Sequence, residues 1–234
     1  MILLKWHFID FFMQYLINAP DSWKNKKISI KNENVYSKIL SNYDETDVVF
    51  EFIKKNGDIK HLNKKDCLNL SKNFAFEINK NINKKNKNNQ LKILGIIGAS
   101  EESVILMLSS LYLGAHHCIC FEDLSPEAIQ QRVVIFQPDI IVCNKSLKEK
   151  VELALNLNSK YIKPIITIDV KKIKNKSFQI KEQINYQENS FLFTLFTSGS
   201  TGKPKAICHG VSEYLNYAKF TTEYFFGLKK YSKI

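Results

Sequence analysis

The chain has 234 residues, 44% of them apolar, and a formal net charge of +11. That apolar share supports a sizeable core and excludes a globally disordered chain. The charge is almost all lysine, with Arg132 the sole arginine; it reads as compositional bias rather than a nucleic-acid footprint, which would favour bidentate guanidinium groups.

Residues 1–19 are apolar but interrupted by Lys5, His7 and Asp10, and Phe8, Phe11, Phe12 and Tyr15 recur near helical spacing. A docking helix ended by Pro20 is expected, not a signal peptide or a membrane span, because no apolar run reaches about 18 residues. Residues 21–43 are polar and show no clear element, so 1–43 is set apart as an N-terminal helix with an irregular extension. The next run, 47–52, is strand-like, and Asn56-Gly57 after it is a hairpin signal. Asn63 with Asp66 three positions on marks a helix start, and Cys67, Leu70, Phe74 and Ile78 give that helix one apolar stripe.

The low-complexity segment 79–92 is a solvated loop. From there short apolar runs alternate with helical patterns. Strands are expected at 91–97, 116–121, 140–143 and 164–170. The intervening helices are Ser103 to Leu113, with Gly114 past its end, then one capped by Ser125 with Pro126 first and stopped by Pro138, then one from Ser146 to about Leu157. This β-α-β alternation predicts an α/β protein with a mostly parallel layered sheet flanked by helices. Strands apolar throughout suit cover on both faces. Residues 171–189 are lysine-rich and polar, a surface connection, and the helical spacing of Val211, Tyr214, Leu215, Ala218 and Phe225 predicts a last helix.

Between the strand expected at 191–196 and a short one at 206–209 lies Thr197-Ser198-Gly199-Ser200-Thr201-Gly202-Lys203-Pro204-Lys205. Glycines let backbone N–H groups converge on an anion, hydroxyls add donors and lysines add charge, so the stretch has the chemistry of a phosphate cradle. The glycines are too close together, and Pro204 follows Lys203, so it is not the Walker A loop.

The string TSGSTGKPK resembles the phosphate-binding signature of the AMP-forming acyl-CoA synthetases, the adenylate-forming superfamily. The segment 111–133, LYLGAHHCICFEDLSPEAIQQRV, and PKAICHG at 204–210 are similar to the acetyl-, propionyl- and acetoacetyl-CoA synthetases within it. The resemblance covers 44–234, which would be the N-terminal portion of an adenylating domain. It implies ATP, Mg2+ and CoA as cofactors, a short-chain carboxylate as substrate and a cytoplasmic ligase. The acid attacks the α-phosphorus of ATP to give acyl-AMP and pyrophosphate, and CoA then displaces AMP. It gives Thr197, Ser198, Gly199, Ser200, Thr201, Gly202, Lys203 and Lys205 the β- and γ-phosphates, and makes Lys145, Lys148 and Lys150 candidates for CoA phosphate.

Departures from the family pattern are Ala206 for a common glycine and Glu122-Asp123 where short-chain members carry two glycines. The family's adenine-stacking motif, magnesium-binding glutamate, ribose-binding aspartate, hinge and catalytic lysine lie beyond the point that matches Ile234. The chain is therefore expected to be an N-terminal fragment, inactive alone, with the missing C-terminal half as a packing partner and no catalytic residue assigned. The alternative is a degenerate, non-catalytic ATP-binding or interaction module.

Five cysteines, Cys67, Cys118, Cys120, Cys143 and Cys208, form no CxxC, and four sit in apolar runs. Free thiols in a reducing compartment are expected. His116, Cys118 and Cys120 would share one strand face, but no second ligand pair accompanies them, so they are read as core residues rather than a metal site. His209, just past the loop, is read as structural support, and no base is placed by the sequence for Cys208.

Overall fold

In the computed structural model, residues 35–53, 56–82, 89–158, 160, 163–173, 185–187, 189–197 and 203–221 are described. The expected helix over 1–19 and the middle of the glycine loop, 198–202, lie outside them. The chain divides into two compact units, Ile30–Val211 and a second made of Met1–Ser29 with Ser212–Ile234. In the second, the described residues are the body of helix α7 (Val211–Phe220) and Thr221.

The first unit opens with a single-turn helix, α1 (Val35–Ile39), where the polar sequence gave no sign of one. Its cause is tertiary. Val35, Tyr36 and Leu40 are buried, and the Tyr36 hydroxyl meets Ser71 Oγ at 2.8 Å. Strands β1 (Val48–Ile53) and β2 (Ile59–Asn63) form the expected antiparallel hairpin, with Gly57 at φ 85°, a left-handed conformation that a β-carbon disfavours. Asn63 then caps α2 (Lys64–Lys80), its Oδ1 accepting from the Asp66 amide at 2.7 Å.

The larger sheet holds β3 (Lys92–Ile96), β4 (His116–Cys120), β5 (Ile140–Asn144), β6 (Ile165–Ile168), β7 (Phe191–Thr197) and β8 (Lys205–Gly210), in the order β6-β5-β3-β4-β7-β8. The first five run parallel and β8 is antiparallel to β7. Chain order reverses at β3: β4 lies on one side of it, β5 and β6 on the other. Helix α3 (Glu101–Tyr112) therefore covers one face, while α4 (Pro126–Phe136) and α5 (Lys148–Asn156) cover the opposite one. Leu94, Ile96, Cys118, Cys120, Ile141 and Cys143 point toward α4 and α5 and meet Ile129, Val133, Phe136, Val151 and Ala154. Gly95 points the other way, and a β-carbon there would lie 2.7 Å from Leu106 Cδ2, so α3 sits directly on the strand.

Local signals set most boundaries. Gly114 takes φ 59° just past α3. Ser125 Oγ accepts from the Ala128 amide at 3.2 Å, and Pro126 opens α4. Before Pro138, Gln137 adopts φ 52° with its amide on Val133 O at 2.8 Å, closing the helix. Four expectations need correction. Helix α3 starts at Glu101, before Ser103, whose hydroxyl instead accepts from the Ser100 amide at 3.2 Å. Ser146 caps nothing: a 3-10 turn, Lys145–Leu147, runs into α5, and Leu147 stands at the cap. The polar connection after β6 returns to the interior, where a short helix α6 (Val170–Ile173) buries Val170 and Ile173 and the buried Tyr186 donates to Ala115 O at 2.9 Å. Nor are all strands covered on both faces. Leu195 of β7 and Ile207 of β8 are 49% and 46% exposed, because the antiparallel β8 forms the sheet edge. Among the described residues no helix is long and apolar enough to cross a membrane.

Candidate nucleotide-phosphate site

Strand β7 runs parallel to β4, so it ends on the same edge as the carboxyl ends of β3, β4, β5 and β6. In open α/β sheets that edge is where ligands bind. The glycine-rich stretch leaves β7 at Thr197 and re-enters the sheet at Lys205. These two residues are Cα partners, so the segment between them is the closed connection of an antiparallel pair. Thr197, Lys203 and Lys205 are exposed at its base; Ser198, Gly199, Ser200, Thr201 and Gly202 lie outside the described residues.

The base of the connection is braced from below in a way sequence reasoning missed. Arg132, on α4, stands over the Phe196 ring with its guanidinium carbon 5.3 Å from the centroid, and its Nη1 donates to Ala128 O at 2.8 Å. Phe196, next to Thr197, packs against the core under α4. The available signal was the lone arginine of a lysine chain, since a planar guanidinium stacks on a ring where an ammonium does not.

Glu122 and Asp123 follow β4 on the same edge, and both are exposed. A β-carbon on Gly98 would come within 2.8 Å of the Glu122 carboxylate, so the glycine makes room for this side chain over the end of β3. Lys150 Nζ donates to the Glu122 carbonyl at 2.9 Å, joining α5 to the β4–α4 loop. Lys148 Nζ lies 3.6 Å from Glu152 on its own helix. Lys145 is exposed on the 3-10 turn. The three lysines thus share the carboxyl edge, with two of them engaged by neighbouring oxygen atoms.

Toward the amino end of β4, away from the site's edge, β7 is tied to β4 through side chains. His116 Nε2 and Thr194 Oγ1 lie 2.7 Å apart, and Thr194 Oγ1 lies 3.3 Å from Cys208 Sγ. Cys208 is therefore linked to a histidine through one hydroxyl, a relation invisible in the sequence. Burial first, then the Lys92 charge, pushes His116 down to about 4; burial, then His116, does the same to His117. Both imidazoles are neutral at pH 7. Across β8, the ring of His209 lies 4.6 Å from that of Phe193, which in turn lies 5.9 Å from His117. These contacts give His209 a packing role.

The AMP-binding enzyme family matches residues 88–231. The chain is 31% identical over 153 residues to an acetyl-coenzyme A synthetase of Helicobacter pylori strain G27, covering 55% of this chain and 23% of that protein. It is 31% identical over 155 residues to the acetyl-coenzyme A synthetase of Campylobacter jejuni strain 81-176, covering 56% and 23%. The chain thus spans about a quarter of the length of these curated relatives. Its fold is that of an acyl-CoA synthetase from Brucella canis (TM-score 0.70, 18% identity, 86% of this chain and 37% of that one). It also matches ATP-bound MatB from Rhodopseudomonas palustris (TM-score 0.65, 14% identity, 82% and 37%). Because the family match runs over well more than half of the sequence, the chain belongs to the AMP-binding enzyme family, the adenylate-forming group that includes the acyl-CoA synthetases.

Proposed function

We propose that residues 197–205 hold the β- and γ-phosphates of ATP in an AMP-forming carboxylate–CoA ligase. The observation that carries this reading is the placement of Thr197 opposite Lys205 at the carboxyl end of β7, with both loop lysines exposed at the sheet's ligand-binding edge. In the adenylating step a carboxylate oxygen bonds to the α-phosphorus, and the bond to the bridging oxygen breaks. The electron pair and the new charge leave on pyrophosphate. Ammonium groups at Lys203 and Lys205, with the hydroxyls of Thr197, Ser198, Ser200 and Thr201 that precede them, stabilise that leaving group where its charge develops. In the second step the CoA thiolate bonds to the acyl carbon and AMP leaves.

Magnesium would neutralise phosphate charge in this reaction. It is commonly held by phosphate oxygens with one or two carboxylates, so a site with little protein ligation suits it. Among the described residues no cluster of three or more His, Cys, Asp or Glu could hold a metal, and the chain's own groups at this edge are lysines, the Thr197 hydroxyl and the exposed carboxylates of Glu122 and Asp123. Lys145, Lys148 and Lys150 are our candidates for CoA phosphate. Lys150 would have to share its protons with Glu122 O, and Lys148 would have to leave Glu152. The acetyl-coenzyme A synthetase relatives favour a short acid such as acetate, propionate or acetoacetate. A cytoplasmic setting, where ATP and CoA are at hand, accords with five free cysteines.

The whole reaction needs groups for adenine, ribose and acid, and the chain spans 23% of its relatives' length. We therefore propose that residues 1–234 alone bind ATP without completing adenylate formation. ATP–pyrophosphate exchange with each of the three acids tests this. Bound ATP with no acid-dependent exchange is the expected result. Robust acid-dependent exchange overturns the inactivity, and failure to bind ATP overturns the phosphate assignment.

A further inference from the structure

Two successive inward positions of β4 carry thiols. Cys118 and Cys120 lie on the same strand face, beneath α4, with their sulfurs 3.8 Å apart. Buried cysteines usually act as small hydrophobes, and that reading suffices for Cys67 and Cys143, where burial pushes the thiols up to about 12 and about 11. It does not suffice here. The sulfurs are close enough to share a proton, and the one arginine of the chain stands on α4 beside them, its charge favouring the thiolate at both. A sulfur with a thiol donor on one side and a guanidinium on the other is set up to carry negative charge. Accordingly the hydrogen bond from Cys118, and then Arg132, hold Cys120 below the ordinary thiol range, while that same bond and burial push Cys118 up. At 3.8 Å either sulfur can donate to the other, so the pair can hold one proton between two sulfurs.

We propose that Cys118 and Cys120 form a peroxide-sensitive dithiol that closes into a disulfide within β4. The Cys120 thiolate attacks one oxygen of a hydroperoxide; the O–O bond breaks, giving a sulfenic acid and hydroxide. The Cys118 thiol then gives its proton to hydroxide, its sulfur bonds to the sulfenic sulfur, and the S–O bond breaks with loss of a second hydroxide, which takes up the proton that Cys120 released to solvent on ionising. With hydrogen peroxide, two thiols and one peroxide yield one disulfide and two waters. Cys120 is 6% exposed, and a peroxide of this size is the oxidant that suits so narrow an opening.

The strand makes this disulfide labile. Residues two apart on a parallel strand are separated by about 6.6 Å, near the upper limit of about 6.8 Å for a disulfide. The sulfurs must approach by about 1.8 Å to reach bonding distance. The bond would draw in the end of β4 beside β7, and its strain makes it easy to reduce. A switchable pair, not a permanent staple, is the consequence.

The full chain is suited to a direct test, because cleavage after Lys92 and Arg132 releases one peptide, 93–132, whose only cysteines are Cys118 and Cys120. After brief hydrogen peroxide treatment, unfolding and alkylation, that peptide is expected to lose two hydrogens and both alkylation sites and to regain them with dithiothreitol. Cys67 and Cys143 stay alkylatable. In Cys118→Ser, Cys120 is expected to give a dimedone adduct and no disulfide. Two findings would overturn the proposal: peptide 93–132 remaining fully alkylatable once the exposed Cys208 is oxidised, or Cys208 pairing in place of either thiol. The wild-type reading stands even if the variant does not fold.

Discussion

Arg132 lies over the ring of Phe196, 5.3 Å from guanidinium carbon to centroid, and so fixes the strand end from which the glycine-rich connection departs. A cation–π contact of this kind contributes about 0.5–2 kcal/mol depending on its exposure. Arg132→Ala is expected to destabilise the chain by about that amount, and Arg132→Lys is expected to recover only part of it, since the ammonium lacks a flat face. Urea midpoints of the two variants against wild type check this; equal stability of all three would show that the contact is incidental.

Gly95 and Gly98 sit on one strand and its exit, yet their substitutions should differ. A β-carbon at Gly95 meets Leu106, fully buried under α3, whereas one at Gly98 meets the exposed carboxylate of Glu122. Gly95→Ala is expected to cost about 1–3 kcal/mol through overpacking. Gly98→Ala is expected to stay within about 0.5 kcal/mol while displacing Glu122. Equal costs at both positions would contradict this packing.

His116 and His117 make acid stability a readable quantity. Burial holds both near 4 in the folded chain, against 6.5 when unfolded, and His117 Nδ1 is buried without a hydrogen-bond partner. Their contribution is complete above pH 6.5. As pH falls from 6.5 toward 4 the unfolded chain takes up protons that the folded chain does not, and stability drops by up to about 1.4 kcal/mol per pH unit and histidine. Below about 4 this contribution flattens. Denaturant titrations from pH 7 to 4 should show the slope, and His117→Phe, whose ring suits the neighbouring Phe193, should reduce it by roughly half. An unchanged slope would sink the assignment.

Thr194 serves His116 and Cys208 at once. Thr194→Val keeps the shape and strands the buried His116 Nε2, which is expected to cost about 1–3 kcal/mol. Thr194→Ser, which keeps the hydroxyl, should cost distinctly less in the same unfolding measurement.

The legible parts of this fold are those with local causes. Asn63, Gly114 and the pair Ser125-Pro126 act through their own backbone neighbourhood, and each stands where its chemistry placed it. Helix α1 was illegible because its turn forms around Tyr36 meeting Ser71, a contact 35 residues away in sequence. Likewise the start of α5 depends on a 3-10 turn that no capping residue announces. At the site, residue types in the connection spoke for phosphate chemistry. No spacing rule could say that Lys150 is held by Glu122 O, that Arg132 braces Phe196 or that Thr194 joins His116 to Cys208. The first arises when α5 packs beside the β4–α4 loop, and the others only when β7 is laid between β4 and β8, a meeting of distant segments.

Binding of magnesium-ATP by residues 1–234, measured calorimetrically for wild type and for the double variant Lys203→Ala/Lys205→Ala, tests the phosphate assignment most directly. Both lysines are exposed, so their removal should leave the unfolding midpoint unchanged. The account predicts an affinity reduced by at least about tenfold, from losing charged hydrogen bonds of roughly 1.5–3 kcal/mol, and a weaker salt dependence of what remains. Equal affinity and equal salt dependence in the two proteins would contradict it.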